Sequence, residues 1–404
     1  MTPRQRQSDR NPFEYGRELD REELVDRTAE LDQLVRSIQN QDRLFLIGPR
    51  RHGKTSLLGA AATVVRADGT LVLRFDAERY ETLDLLAQAL LSAATRQMAT
   101  TVERAGALLK RWAGALKPEV SYSVEEQAIK VSIGAAGTTE GAGALPILVD
   151  VLDVIDRLAA ETGRSATVVI DEFQQVIALG GPTAERQIRA AVQQHRHVGY
   201  IFAGSATRML ADMTGDPGRA FYKLGQRLML GPIPRPDFLT FLREGFESAG
   251  FGAEAAALVA ILDRAEDVPY TIQRLAHECW EMLRVTTVLG PATAPPTLTE
   301  LLVDTALERV VRQEDAAYTQ IWNSLTLQQK RTLKAVILER GRTLQSADVT
   351  RRYRVPASSM QRALQTLDAR GLVRESGSQG TIEYRLEDPL LGHWLRWAQQ
   401  LGPT

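Results

Sequence analysis

Along the first half of the chain, short unbroken apolar runs alternate with stretches whose apolar residues recur every three or four positions. The runs at 43–47 (Arg-Leu-Phe-Leu-Ile), 71–75, 166–170 and 199–203 are too short for helices and lack the polar alternation of a half-exposed strand. They predict strands buried on both faces. The spacing of Leu24, Leu31, Leu34, Val35 and Ile38, and the patterns over 57–65, 82–98, 149–158 and 184–195, predict helices. Strands alternating with helices imply an α/β fold, a parallel sheet with helices on both faces.

Residues 117–143 break this rhythm. Short alternation (Val120, Tyr122, Val124; Ile129, Val131, Ile133) followed by a Gly/Ala/Thr-rich run predicts an inserted hairpin outside the core. Beyond Gly231 helices dominate, over 237–249 and 253–264, and the Pro/Thr/Ala-rich stretch 290–299 reads as a linker. The expected organisation is a loose lead-in over 1–21, an α/β core over 22–233, a helical lid and linker over 234–299, and a terminal domain over 300–404.

In the terminal segment, amphipathic helices are predicted at 327–337, 345–353 and 357–370, with Val355-Pro356 as the turn before the third. The third helix sets Met360, Ala363, Leu364 and Leu367 on one stripe and Ser358, Ser359, Gln361, Arg362 and Gln365 on the other. Strand patterns at 372–373 and 382–386 flank Gly377 and Gly380. Three helices and a hairpin are the layout of a winged helix-turn-helix, whose third helix can enter a DNA major groove.

The chain has 404 residues, 44% of them hydrophobic and 25% charged, which excludes wholesale disorder. At ~100–200 residues per domain it has room for two to four domains. Its 49 basic and 50 acidic residues give a net charge of -1, and that balance conceals an asymmetry. Residues 327–397 carry thirteen Lys/Arg against seven Asp/Glu, which favours a polyanion such as double-stranded DNA. Arg351, Arg352, Arg354, Arg362 and Arg374 are the expected phosphate contacts, with Ser359 and Gln361 facing bases. Winged helices also bind protein, so that partner stays open. The single cysteine, Cys279, cannot form an internal disulfide, the first ten residues have no apolar segment of a secretory signal, and no run of ~18 apolar residues could span a membrane. A cytoplasmic protein that does not enter a membrane is expected.

Only seven of the basic residues are lysines, and one completes Gly48-Pro49-Arg50-Arg51-His52-Gly53-Lys54-Thr55, a full match to G-x-x-x-x-G-K-[ST]. A glycine-rich turn leaving a strand aims backbone N–H groups at phosphate oxygens, and the helix that follows, beginning near Ser56, adds its positive end. Lys54 would bridge the β- and γ-phosphates of ATP and the Thr55 hydroxyl would bind Mg²⁺. Arg50, Arg51 and His52 are read as solvated side chains near the phosphates. The strand Val168-Val169-Ile170 ends in Asp171, a second ligand for Mg²⁺ at the sheet edge, and Glu172 could polarise an attacking water. Ser205, ending the next strand, is either a γ-phosphate sensor or a helix cap.

Val25-Asp-Arg27-Thr-Ala-Glu30-Leu31, the phosphate loop, Ile170-Asp171-Glu172-Phe173-Gln174 and Ala203-Gly204-Ser205 together resemble the AAA+/STAND-type ATPases, and among them the archaeal-type ATPase group related to origin-recognition ATPases. The resemblance runs from about Glu22 to Trp397. It implies Val25 and Arg27 near the adenine, a lid over 234–288, and Arg219 presented to the γ-phosphate of a neighbouring subunit in a homo-oligomer, with Arg227 as the alternative. Where such lids carry a second sensing arginine, this chain has Val268-Pro269-Tyr270-Thr-Ile-Gln273, and Arg274 follows one turn after Tyr270. That departure implies a slow switch. The expected function is an ATP- and Mg²⁺-dependent ATPase switch acting on DNA; the alternatives are a STAND-like signalling or scaffold ATPase and, third, a nucleic-acid motor.

Overall fold

Strand β1 (Arg43–Ile47) lies inside a five-stranded parallel sheet and is buried from Leu44 onward. The computed structural model describes residues 10–98, 118–123, 128–133, 144–205, 207–289, 295–376 and 382–401. The described residues form two compact units, one within 19–49 and 54–231, the other within 10–18, 50–53 and 232–401.

In the first unit, the core unit, the elements run α1 (Thr28–Gln39), β1, α2 (Lys54–Arg66), β2 (Leu71–Asp76), α3 (Leu83–Met98), the hairpin β3 (Pro118–Ser123) and β4 (Ala128–Ile133), then α4 (Ala144–Thr162) and β5 (Ala166–Asp171). They continue with α5 (Gln174–Gly180), α6 (Ala184–Gln194), β6 (Val198–Gly204), α7 (Thr207–Gly215) and β7 (Gln226–Met229). The sheet order is β2-β5-β6-β1-β7 and each pair is parallel. Because side chains alternate across a strand, Phe45 and Ile47 enter one cluster with residues of α3, α4 and α6, while Leu44 and Leu46 enter a second with α1 and α2. Fully burying one such side chain contributes about 1.5–3 kcal/mol. The antiparallel β3–β4 pair stands apart from the sheet, and the Gly/Ala/Thr-rich run that was expected to follow it lies outside the described residues.

Strand β7 is absent from the sequence reading because Gln226, Arg227 and Met229 are exposed and only Leu228 is buried. An edge strand pairs on one side only, so its polar residues carry no burial signature.

The second unit holds α8 (Arg235–Ser248), α9 (Ala255–Arg264), α10 (Pro269–Leu289), α11 (Glu300–Gln313), α12 (Asp315–Asn323), α13 (Leu327–Leu338), α14 (Ala347–Tyr353), α15 (Ala357–Ala369) and α16 (Pro389–Ala398). Two-residue strands β8 (Gly252–Ala253) and β9 (Thr297–Leu298) pair in parallel, and the antiparallel wing is β10 (Val373–Ser376) with β11 (Glu383–Leu386). On α15 the buried side chains are Met360, Ala363, Leu364 and Leu367, the stripe expected from the sequence.

The expectation of a loose lead-in needs correction at residues 11–13. Phe13 is fully buried, 4.7 Å from the Phe246 ring and 5.8 Å from Phe241, and the Asn11 side chain donates to the His277 carbonyl. A single aromatic in a charged segment gives no periodicity, yet it anchors this stretch of the chain on α8 and α10.

Candidate nucleotide site

The phosphate loop leaves β1 at Ile47 and Lys54 opens α2. At Gly48 a Cβ would sit 2.7 Å from the Leu230 Cβ, and Gly53 has φ +85°, so both glycines are required by the backbone. The Lys54 ammonium is buried and donates to the carbonyls of Gly48 and Pro49 at 2.9 and 3.0 Å. Its position is therefore fixed by the turn that the two glycines permit.

Two residues named from the sequence as Mg²⁺ ligands meet here. The Thr55 hydroxyl donates to Asp171 Oδ2 at 2.9 Å, across 116 positions of sequence, because β5 delivers Asp171 to the sheet edge where α2 begins. Burial raises the Asp171 carboxyl above its usual range, partly offset by the Thr55 hydrogen bond. A hydroxyl and a carboxylate oxygen this close fit a hard cation that prefers oxygen donors.

Glu172 has φ +50°, outside the usual range for a non-glycine residue. Its Oε2 accepts from the Ser205 hydroxyl at 2.8 Å and from the Gln174 amide nitrogen. Gln174 Nε2 also donates to Ser205 Oγ at 3.4 Å, and its Oε1 is buried without a partner among the described residues. Glu172, Ser205 and Gln174 thus form one cluster at the ends of β5 and β6. Gln174 received no role in the sequence reading. The available signal was a polar residue two positions after Glu172 at the start of a short helix.

Other named residues are placed differently. Ser56 is buried and its hydroxyl accepts from the Leu19 N–H at 3.0 Å, a structural use. Val25 is buried, and the guanidinium of buried Arg27 donates to the Gly231 carbonyl at 2.6 Å and to Glu30 at 2.9 Å. Arg219 is paired with Glu185 through both Nε and Nη2, and Arg227 is exposed on β7. A bidentate partner within the same chain engages the guanidinium expected to reach a neighbour.

In the second unit, Arg50 and Arg51 are exposed, but His52 is only 5% exposed, which corrects the expectation of a solvated side chain: its Nδ1 lies 2.8 Å from the Arg50 carbonyl. Arg51 pairs with Asp388 at 2.7 Å and lies over the Tyr270 ring at 5.0 Å, and the Tyr270 N–H donates to the Arg51 carbonyl. Asp388 also accepts from the Tyr318 hydroxyl at 2.9 Å and caps α16 through the Leu390 N–H. Arg274, the displaced lid arginine, is paired with Glu314 at 2.5 Å.

Of the residues expected at DNA, Arg351, Gln361 and Arg362 are exposed and Ser359 is partly so. Arg354 is exposed and caps α14 in the left-handed region, and Arg352 pairs with Glu339 at 2.6 Å. Arg374 is a correction: its side chain is 14% exposed and paired with Glu387, itself 11% exposed, so it braces the wing from inside.

The geometry defines the class as a P-loop ATPase fold carrying a C-terminal winged helix. Residues 316–397 match the family described as a probable winged helix domain. Among solved structures the chain is similar to the Walker-type ATPase of Pyrococcus abyssi, at 17% identity and TM-score 0.62, covering 95% of this chain and 99% of that one. It is also similar to the ORC2 protein of Aeropyrum pernix in its ADPNP-ADP complexes, at 18% identity and TM-score 0.51, covering 98% and 99%. At such identities the likeness is one of fold. No curated protein matches the sequence, and among the described residues no helix is long and apolar enough to cross a membrane.

Proposed function

We propose that the chain is a slow, Mg²⁺-dependent ATPase switch that couples nucleotide state to its winged helix. The observation that carries the nucleotide half is the Thr55–Asp171 hydrogen bond at 2.9 Å beside buried Lys54. Thr55 and Asp171 would hold Mg²⁺, which when bound offsets the charge of the β- and γ-phosphates. The Lys54 ammonium exchanges its carbonyl partners for phosphate oxygens. Glu172 Oε2 accepts the proton of the attacking water, and Ser205 and Gln174 fix the direction of that carboxylate.

The coupling half is supported by the Arg51–Asp388 pair, which ties an arginine of the phosphate loop to the cap of the last helix of the winged-helix segment. Phosphate competes with Asp388 for the same guanidinium. Recruitment of Arg51 by ATP loosens α16, and its return after hydrolysis restores the pair. Rotation of Arg219 away from Glu185 would be needed before it could serve a neighbouring subunit.

The winged helix is read as a DNA-binding element, with Arg351, Arg354, Gln361 and Arg362 on its exposed side. A second reading, a STAND-like protein whose winged helix binds a protein partner, is favoured by the pairing of Arg352 and Arg374 with Glu339 and Glu387. The two separate in a duplex-DNA titration at two salt concentrations, with ATP or ADP present. The DNA reading expects salt-dependent binding that Arg351→Ala and Arg362→Ala weaken, each lowering the salt slope by about 1. Absence of binding at low salt contradicts it.

A further inference from the structure

A cavity of about 750 Å³ opens within the second unit, between α9, the end of α13, β11 and α16. Its size lies within the ~300–1,000 Å³ of small-molecule sites. Its floor is apolar, from Val336, Ile337 and Leu386, all buried. Its wall carries arginines in two conditions. Arg235 is paired with two carboxylates, Asp263 and Asp267, Arg264 with Asp304 and Glu300, and Arg342 with Glu383. Arg340, Arg385 and Arg396 have no side-chain partner among the described residues, and the Nε of Arg396 is buried as well as unpartnered.

A buried guanidinium nitrogen without an acceptor is costly and calls for an explanation. Six arginines line the cavity against four carboxylates, Asp263, Glu266, Asp267 and Glu383, so the lining keeps a positive excess, and Glu266 interacts electrostatically with His393 in the same wall. Gly392 also lines the cavity, and a Cβ there would come within 2.8 Å of Leu386, so a side chain at this position would disturb the floor.

We infer that this cavity is a second ligand site, separate from the phosphate loop, that takes a small phosphate-bearing molecule, with Arg396, Arg385 and Arg340 as its phosphate contacts. Guanidinium groups match phosphate oxygens in geometry and remain charged. The apolar floor faces the body of the ligand. A site here contacts both α9 and α16, so its ligand fixes the winged-helix segment against the preceding helices of the same unit.

The test uses the full chain carrying Lys54→Ala, which disables the phosphate loop, and inorganic pyrophosphate as the probe in calorimetric titration. Saturable binding is expected, weakened about tenfold or more by the double substitution Arg385→Gln, Arg396→Gln, and partly restored by Arg385→Lys, Arg396→Lys. Thermal unfolding of these variants should come no earlier than that of the parent, since the substituted groups have no ion-pair partners to lose and Arg396 gives up a costly buried nitrogen. No saturable binding to the Lys54→Ala chain overturns the proposal, and so does binding that the glutamine substitutions leave unchanged. Duplex DNA that occupies these arginines and is not displaced by pyrophosphate also overturns it. None of these outcomes depends on whether the phosphate loop hydrolyses ATP.

Discussion

Replacing Asp388 by asparagine should tighten ATP binding. Asp388→Asn keeps the cap on Leu390 but removes the negative charge that engages Arg51 at 2.7 Å. The Asp388 side chain is 17% exposed and that of Arg51 39%, so the pair lies between a surface and a buried ion pair. Burial works against the charge of Arg51, and the Asp388 carboxylate more than offsets it. Surface pairs are worth about 0.2–1 kcal/mol, whereas stranding a partner of a buried pair costs about 3–5 kcal/mol. With Arg51 partly in water, about 1 kcal/mol is the appropriate figure, equivalent to roughly a fivefold gain in affinity. The assay is a double-mutant cycle on ATP affinity with wild type, Arg51→Ala, Asp388→Asn and the double variant. Asp388→Asn should tighten binding by that factor in the wild-type background and have no effect when Arg51 is alanine. An effect of the same size without Arg51 would refute the competition between Asp388 and phosphate.

Two other outcomes follow from the site. The Asp171 carboxyl is raised by burial, so the folded chain holds that proton more tightly than the unfolded chain, and ionisation above the raised value costs stability. Mg²⁺-dependent ATP affinity should therefore fall, as pH is lowered, from a point above the ordinary aspartate range, and Asp171→Asn should abolish that pH response while stabilising the metal-free protein at neutral pH; thermal melts and nucleotide titrations across pH check both. Gln174→Ala should leave ATP affinity within about twofold while lowering turnover about tenfold or more, because the side chain of Gln174 hydrogen-bonds Glu172 and Ser205. A matched loss in affinity and turnover would place Gln174 in nucleotide binding instead.

The parts of the molecule that were legible in the sequence are those whose cause is local. Four consecutive apolar residues at 44–47 and two glycines at fixed spacing dictate the strand and the turn after it, and the three-four spacing of Met360, Ala363, Leu364 and Leu367 dictates the buried stripe of α15. What depends on a distant partner was not legible. Phe13 looks like part of a polar tail until α8 and α10 surround it, and β7 looks like loop because one edge of it faces no strand. Arg374 and Arg219 read as free cations because Glu387 and Glu185 lie 13 and 34 positions away, distances at which sequence spacing says nothing about pairing. Composition did locate the positive excess of the tail, but not which of its arginines are engaged.

The central claim is that Lys54 and Glu172 act at one nucleotide site in distinct roles. Its most direct test is to measure Mg²⁺·ATP binding and turnover side by side for the wild type, Lys54→Ala and Glu172→Gln. The wild type should bind and slowly hydrolyse ATP, Lys54→Ala should lose binding, and Glu172→Gln should bind with near-wild-type affinity while losing turnover. Wild-type binding and turnover in both variants would contradict it.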